Sequence, residues 1–266
     1  MELQGRVEQL RRSGLGLAAI TYDPVAVLAE FSSRRRIMFP LLSDPGSATI
    51  KRYGILNTTV PEANQLYGYP FPGTFMLNRE GVVTARFFEQ AYQERLTVAS
   101  ILAGLGKNLD VAATRVSSPQ IEITSFVTDT TVAPGTHFSL VLDVRPAHGV
   151  HVYAPGVTGY KPIALSLEAQ PGVVMRSAQY PPSEDYHFKP LNEHVQVYQR
   201  PFRIVQDVLI DASPQAQTSL KDMTSMTIKG VLNYQACDDK VCFRPQTVAL
   251  TWTVSLRQLD RERAKP

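Results

Sequence analysis

The sequence predicts an α/β domain followed by an all-β sandwich. Up to about Leu105, short apolar runs alternate with helical patterns. From Gln120 onward, short runs alternate apolar and polar residues, with turn residues between them. Between the two textures, Asn108 to Pro119 fits neither, which puts a boundary near residue 115. A length of 266 residues also suits two domains, at about 150 residues each.

In the first half, Leu3, Val7 and Leu10 recur at helical spacing among polar residues. Gly14 to Tyr22 is an apolar run behind a glycine and reads as a strand buried on both faces. Asp23-Pro24 opens a helix as N-cap and first position, with Val25, Leu28 and Phe31 as its apolar stripe. Arg34-Arg35-Arg36 closes that helix with positive charge against its dipole. Phe39 to Pro45 reads as a strand leaving into a turn, and Ile50 to Tyr53 as a short helix closed by Gly54. Thr74–Leu77 and Val82–Phe87 are strands joined by the hairpin loop Asn78-Arg79-Glu80-Gly81. Arg95 to Leu105 is a closing helix with Val98, Ile101, Leu102 and Leu105 on one face.

In the second half, residues 121–127, 137–144, 205–210, 227–234 and 247–256 show the two-residue period of half-buried strands. Val248, Leu250, Trp252 and Val254 point one way, and the lone Trp252 reads as core. Pro-Gly and Asp-Ala-Ser-Pro punctuation between such runs indicates a β-sandwich.

Composition excludes several functions. Lys plus Arg is 27 and Asp plus Glu is 24, a net charge of +3. That is too weak to imply a nucleic acid or an anionic membrane surface as partner. No apolar run reaches the roughly 18–20 residues of a membrane helix. The chain as given shows no signal-peptide pattern. Two cysteines cannot build a four-cysteine zinc site. His137, His148 and His194 form no ligand pattern, so no metal and no cofactor are expected.

The series Ala19–Asp23, Phe39–Pro45, Tyr53-Gly54-Ile55 and Pro72–Gly81, in that order, resembles the alkyl hydroperoxide reductase/thiol-specific antioxidant (AhpC/TSA) branch of the thioredoxin fold. The resemblance implies a thioredoxin-like domain over residues 1–112, with Pro72 where the fold carries a cis-proline beside its active site. A trans turn proline is the alternative. The family's reactive cysteine precedes the helix matched by Leu3–Leu10, and this sequence has no cysteine before Cys237. Peroxide reduction needs a thiolate nucleophile, so peroxidase activity is not expected from this chain. A record begun too late is the favoured explanation, and a degenerate partner-binding remnant is the other.

The sharpest constellation is Tyr234-Gln235-Ala236-Cys237-Asp238-Asp239-Lys240-Val241-Cys242-Phe243-Arg244-Pro245. With Asp239-Lys240 as the turn, Asp238 pairs with Val241 and Cys237 with Cys242. Opposed Cβ atoms stand about 4.5–5.5 Å apart on one face. A small adjustment closes a disulfide. Its loop is so short that its entropic contribution is modest, which suits cycling better than stapling. A structural disulfide, a metal site and inert thiols are the alternatives.

Together with Gly149–Tyr153 and Tyr198–Phe202, this segment resembles the N-terminal periplasmic domain of the thiol:disulfide interchange protein DsbD. The resemblance implies an immunoglobulin-like sandwich over residues 119–258 and thiol–disulfide exchange through Cys237 and Cys242, with Cys237 attacking. It also implies redox protein partners: a thioredoxin-like or membrane electron donor and a disulfide-bearing acceptor, in the periplasm or cell envelope. A capping loop would be Ser183 to Pro190, with Tyr186 or Phe188 as the shield. His151 and Tyr153 would lie under the cysteines, His151 as a proton acceptor or simply as a surface strand residue. The rival function is a non-catalytic docking module with a permanent disulfide.

Overall fold

The computed structural model describes residues 2–64, 67–88, 95–188 and 192–257. Within the ranges given above, residues 1, 189, 190 and 258 lie outside the described residues. Packing divides the chain into two compact units, Met1–Val98 and Ala99–Pro266.

The first unit opens with helix α1 (Glu2–Arg12), which buries Val7 and Leu10. Strand β1 (Ala19–Thr21) pairs in parallel with β2 (Leu41–Ser43). A parallel pair requires a crossover, and helix α2 (Val25–Arg35) supplies it. Two local expectations differ here. Ile20 is 40% exposed, so β1 is not covered on both faces. Of the α2 stripe only Leu28 is buried, while Val25 is 70% exposed. Pro24 occupies the N-cap in an extended conformation and has no side-chain group to cap with, while the Asp23 carboxylate accepts from Thr21 Oγ1 at 2.6 Å.

Helix α3 (Ala48–Arg52) is capped from outside its own sequence. The Asp44 carboxylate accepts the N–H groups of Thr49 and Ile50 at 3.1 and 2.9 Å. These bonds hold the Asp44 pKa below its ordinary value. Strands β3 (Gly73–Leu77) and β4 (Val83–Phe88) form the expected hairpin. Asn78 Oδ1 accepts the N–H groups of Glu80 and Val82, and Gly81 takes φ +77°. Pro72 is a correction to the cis expectation, since every described peptide bond is trans. The Phe71 N–H donates to Ile55 O at 2.7 Å, so an extended trans chain already leads into β3.

The predicted helix from Arg95 is shorter than expected. Residues Arg95–Leu96 are strand β5, and helix α4 spans Val98–Gly104. Its buried Ala103, itself in the second unit, packs with Phe126 and Val141 of that same unit.

The second unit is all-β apart from α4 and one short helix among the described residues. One sheet has the order β12 (Val173–Met175), β15 (Phe202–Ile210), β9 (Thr136–Pro146), β7 (Ile121–Val127) and β6 (Ala113–Ser117). The opposing sheet is β11 (Ala164–Leu167), β16 (Ser225–Tyr234), β18 (Gln246–Leu256) and β8 (Thr131–Val132). Between them lies one core, in which Ile123, Leu140, Leu142 and Ile204 meet Ile228, Leu232, Leu250 and Trp252. The period-two strands sort as expected: Leu250, Trp252 and Val254 are buried while Ala249, Thr251 and Thr253 are exposed. Helix α5 (Pro214–Leu220) is N-capped by Ser213, whose hydroxyl accepts from Ala216 N.

A third, smaller sheet has the order β13 (Glu184–Phe188), β14 (Glu193–Tyr198), β10 (His151–Tyr153) and β17 (Ala236–Cys237). It positions the cysteines. The segment expected to be a capping loop is therefore the edge strand of a sheet, because residues 184–188 pair in full with 193–197.

Candidate functional site

Strand pairing decides which residues share a face of the small sheet. Directly opposed residues project to the same side, and neighbours along a strand alternate. Cys237 opposes His151 across β17 and β10. Tyr153, two residues on, opposes Val197, and Tyr186 opposes Val195. Cys237, His151, Tyr153, Val195, Val197, Tyr186 and Phe188 thus occupy one face. Val152, Ala236 and Tyr198 occupy the other and join the sandwich core.

A disulfide links Cys237 to Cys242, with Cα atoms 4.0 Å apart. The two residues form an antiparallel bridge, and the Asp238 N–H donates to Val241 O at 3.0 Å. Asp238 Oδ1 also accepts the N–H groups of Lys240 and Val241 at 2.8 and 2.7 Å. These backbone bonds hold the Asp238 pKa below its ordinary value, so the turn carries a carboxylate. Gln235 braces the base of the hairpin by donating to Phe243 O at 3.1 Å and accepting from Lys161 N.

The two sulfur-bearing residues are not equivalent. Cys237 is 1% exposed, whereas Cys242 is exposed. Tyr153 lies beneath them with its hydroxyl 3.0 Å from Cys237 Sγ and 3.4 Å from Cys242 Sγ. A disulfide sulfur has no proton, so the phenol is the donor. Burial, then the neighbouring Tyr160 and Glu193, push the Tyr153 pKa well up, which keeps that proton in place. The ring of Tyr153 stacks on Tyr160 at 4.1 Å, and the Tyr160 hydroxyl donates to Glu193 Oε2 at 2.7 Å.

His151 is buried between Tyr153 and Tyr186, with ring centroids 5.5 and 4.4 Å away. Burial lowers its pKa, and the Asp238 carboxylate opposes that shift. His151, Tyr153, Tyr160, Tyr186, Phe188, Val195, both cysteines and the turn residues Asp238, Lys240 and Val241 line one cavity of about 50 Å³.

The residues singled out from the sequence therefore meet, with one exception. Cys237, Cys242, His151, Tyr153, Tyr186 and Phe188 share the cavity, while Pro72 belongs to the other unit. Sequence reasoning missed Tyr160, Val195 and Glu193. The alternation through Glu193, Val195 and Val197 carried part of that information. Tyr160 returns through a turn containing Gly156 and Gly159, both at positive φ, and no local pattern shows where such a turn leads. Among the described residues, no group of three or more His, Cys, Asp or Glu side chains could hold a metal ion. No described helix is long and apolar enough to cross a membrane.

This arrangement defines a β-sandwich protein with a disulfide at the mouth of an aromatic cavity. Residues 123–253 match the family model of the thiol:disulfide interchange protein DsbD, N-terminal, and residues 1–86 match that of the AhpC/TSA family. The chain thus resembles both families, each over its own part. Among solved structures, the N-terminal periplasmic domain of ScsB from Proteus mirabilis is 13% identical, with a TM-score of 0.37. That match covers 52% of this chain and 49% of the ScsB chain, so the present sequence spans about half of that relative. The DsbD N-terminal domain of Neisseria meningitidis in its reduced form is 15% identical, with a TM-score of 0.30, covering 44% of this chain and 81% of that one. No curated protein matches the chain. The disulfide and the DsbD family match together fit a thiol–disulfide exchange role.

Proposed function

We propose that the second unit is a thiol:disulfide oxidoreductase module in which Cys242 meets the partner and Cys237 resolves the exchange. The unequal exposure of the two cysteines supports this order most directly, and it replaces the sequence expectation that Cys237 attacks. A partner thiolate attacks Cys242 Sγ in line with the disulfide. The Cys242–Cys237 bond breaks, and its electron pair leaves on Cys237 Sγ. The Tyr153 hydroxyl, 3.0 Å away, is placed to hydrogen-bond that thiolate as it forms. The second thiol of the partner then attacks its own sulfur in the mixed disulfide and releases Cys242 as a thiolate. Two electrons pass from a dithiol partner to this chain, and the partner leaves as a disulfide. In the opposite half-reaction the Cys242 thiolate attacks an acceptor disulfide, and Cys237 displaces the acceptor.

Tyr186 and Phe188 act as the shield over the pair, on an edge strand that can yield to a docking protein. The partners are redox proteins with accessible dithiols or disulfides. The family resemblance points to the bacterial periplasm or envelope. The first unit is read as a thioredoxin-like redoxin domain. Both cysteines of the sequence lie in the second unit, so the redox chemistry belongs there.

Cysteine variants test the order of attack. Cys237→Ser, which keeps the exposed thiol, should react with an aromatic disulfide reagent at least about tenfold faster than Cys242→Ser, which keeps the buried one. The oxidised parent should equilibrate with glutathione buffers above about −300 mV. Equal rates for the two variants would overturn the assigned order. A bond that stays closed well below that potential would establish a permanent clasp instead.

A further inference from the structure

The face of the β13–β14 hairpin opposite the disulfide carries a second constellation. His187 and His194 are directly opposed across the two strands. Their rings stack with centroids 4.4 Å apart and planes 7° from parallel. Asp185 Oδ2 lies 2.7 Å from His194 Nδ1, and Asn192 Oδ1 lies 3.0 Å from His187 Nε2. One nitrogen of each ring is thus engaged by a neighbour that orients it. Among the described residues, neither of the other two nitrogens has a hydrogen-bond partner. The His194 and Asp185 side chains are 59% and 55% exposed, and His187 is exposed as well.

We infer that His187 and His194 form a two-imidazole site for a borderline divalent transition-metal ion, with Zn²⁺ as the representative. Metal-bound histidine usually gives its other ring nitrogen to a carboxylate or amide oxygen, which fixes the tautomer and the ring orientation. Both rings already make such a bond. Stacked in parallel, the rings do not yet aim their remaining nitrogens at one point; the torsion that turns an imidazole about its stem is broad, and metal binding would turn the rings out of the stack to reach the roughly 2.0–2.1 Å of a zinc–nitrogen bond. Two protein ligands leave the other coordination positions to water. The site is therefore reversible rather than a structural zinc centre.

The position of the pair gives the ion an effect. Along β13 the side chains alternate, with Asp185 and His187 on the outer face and Tyr186 and Phe188 lining the disulfide cavity. Strand β13 is the edge of its sheet, and β14 is interior. An ion held by one histidine from each strand staples the edge strand that bears the shield to its neighbour. Metal occupancy accordingly slows access to the disulfide. This consequence rests on the exchange reading above, whereas metal binding itself does not.

Calorimetric titration of the oxidised full chain with Zn²⁺ tests the site without any thiol taking part. One ion should bind with a micromolar dissociation constant. His187→Ala and His194→Ala should each weaken binding at least tenfold, Asp185→Asn should weaken it less, and His148→Ala should not change it. Absent binding, or binding indifferent to His187 and His194, overturns the site. Reduction of the disulfide by a water-soluble phosphine should be several-fold slower with zinc in the parent and unaffected by zinc in His187→Ala. Zinc bound at the pair with an unchanged reduction rate overturns the staple and leaves the exchange function standing.

Discussion

His151 shows how one buried group ties stability to pH. It opposes Cys237 across the strand pair and touches Tyr186, and among the described residues no carboxylate is bonded to its ring. Burial disfavours the imidazolium, so the folded chain binds this proton less readily than the unfolded chain does. Stability must then rise with pH while the unfolded histidine still titrates, and it levels off above about pH 6.5. The nearby Asp238 carboxylate moderates the effect. Urea midpoints measured from pH 5 to 8 should climb and then flatten, and His151→Gln should climb less over the acidic part of that range. An identical slope in the variant would remove His151 as the cause. At this scale the residues singled out from the sequence do meet, Pro72 apart, but their surroundings were misjudged. Cys237 and Cys242 could be paired by counting across a turn. Which sulfur faces solvent depends on Tyr153 and Tyr160, which come from another strand and another turn. The open alternative for His151, a surface strand position, fails for the same reason, since Tyr153 and Tyr186 cover it.

Strands carry the next level, and the central pairing of the second sheet turns on one glycine. Gly230 lies in β16 opposite Leu167 of β11 and Leu250 of β18. A Cβ built there would stand 2.7 Å from both the Ser166 carbonyl oxygen and Leu167 Cδ2. The leucine can rotate away, but the carbonyl belongs to the paired strand and cannot. Gly230→Ala should therefore push β11 outward and destabilise the second unit by about 1–3 kcal/mol, as overpacking of a filled core does. The signature is a lower urea midpoint with an unchanged disulfide. A neutral result would mean that β11 yields at no cost. Nothing local in the sequence marks Gly230, because the close approach comes from a strand more than sixty residues earlier. Strands with a clean two-residue period, such as β16 and β18, were legible almost residue by residue. Strand β13 was not: its Asp, Tyr, His and Phe residues look like a loop, and only pairing with β14 makes them a strand.

For the whole molecule, packing and composition place the start of the disulfide-bearing unit at different points. Composition breaks near residue 115 and the DsbD family match starts at 123, yet the packing division falls between Val98 and Ala99. Helix α4 and strand β6 explain the difference. Ala103 packs on Phe126 and Val141, and Ser100 Oγ lies 3.1 Å from Thr128 Oγ1. Arg203 donates to the carbonyls of Ala103 and Lys107 while its guanidinium pairs with Asp143. Strand β6 pairs with β7 from Ala113 to Ser117, and Ser118 Oγ lies 2.9 Å from the hydroxyl of the buried Tyr234. An amphipathic stretch such as 98–105 announces a buried face without saying which sheet it covers, so the sequence could not assign it. A fragment of residues 99–257 should fold cooperatively, and its disulfide should be reduced at the rate seen in the full chain, since every residue lining the cavity is inside it. A fragment of residues 119–257 keeps the same cysteines but uncovers Phe126 and Val141. At about 1.5–3 kcal/mol for each large apolar side chain returned to water, it should be less stable by about 3–6 kcal/mol. Urea unfolding of the two fragments measures the difference directly. Equal midpoints would show that the helix and β6 merely rest on the sandwich, whereas the expected gap would make them part of the module that presents the disulfide.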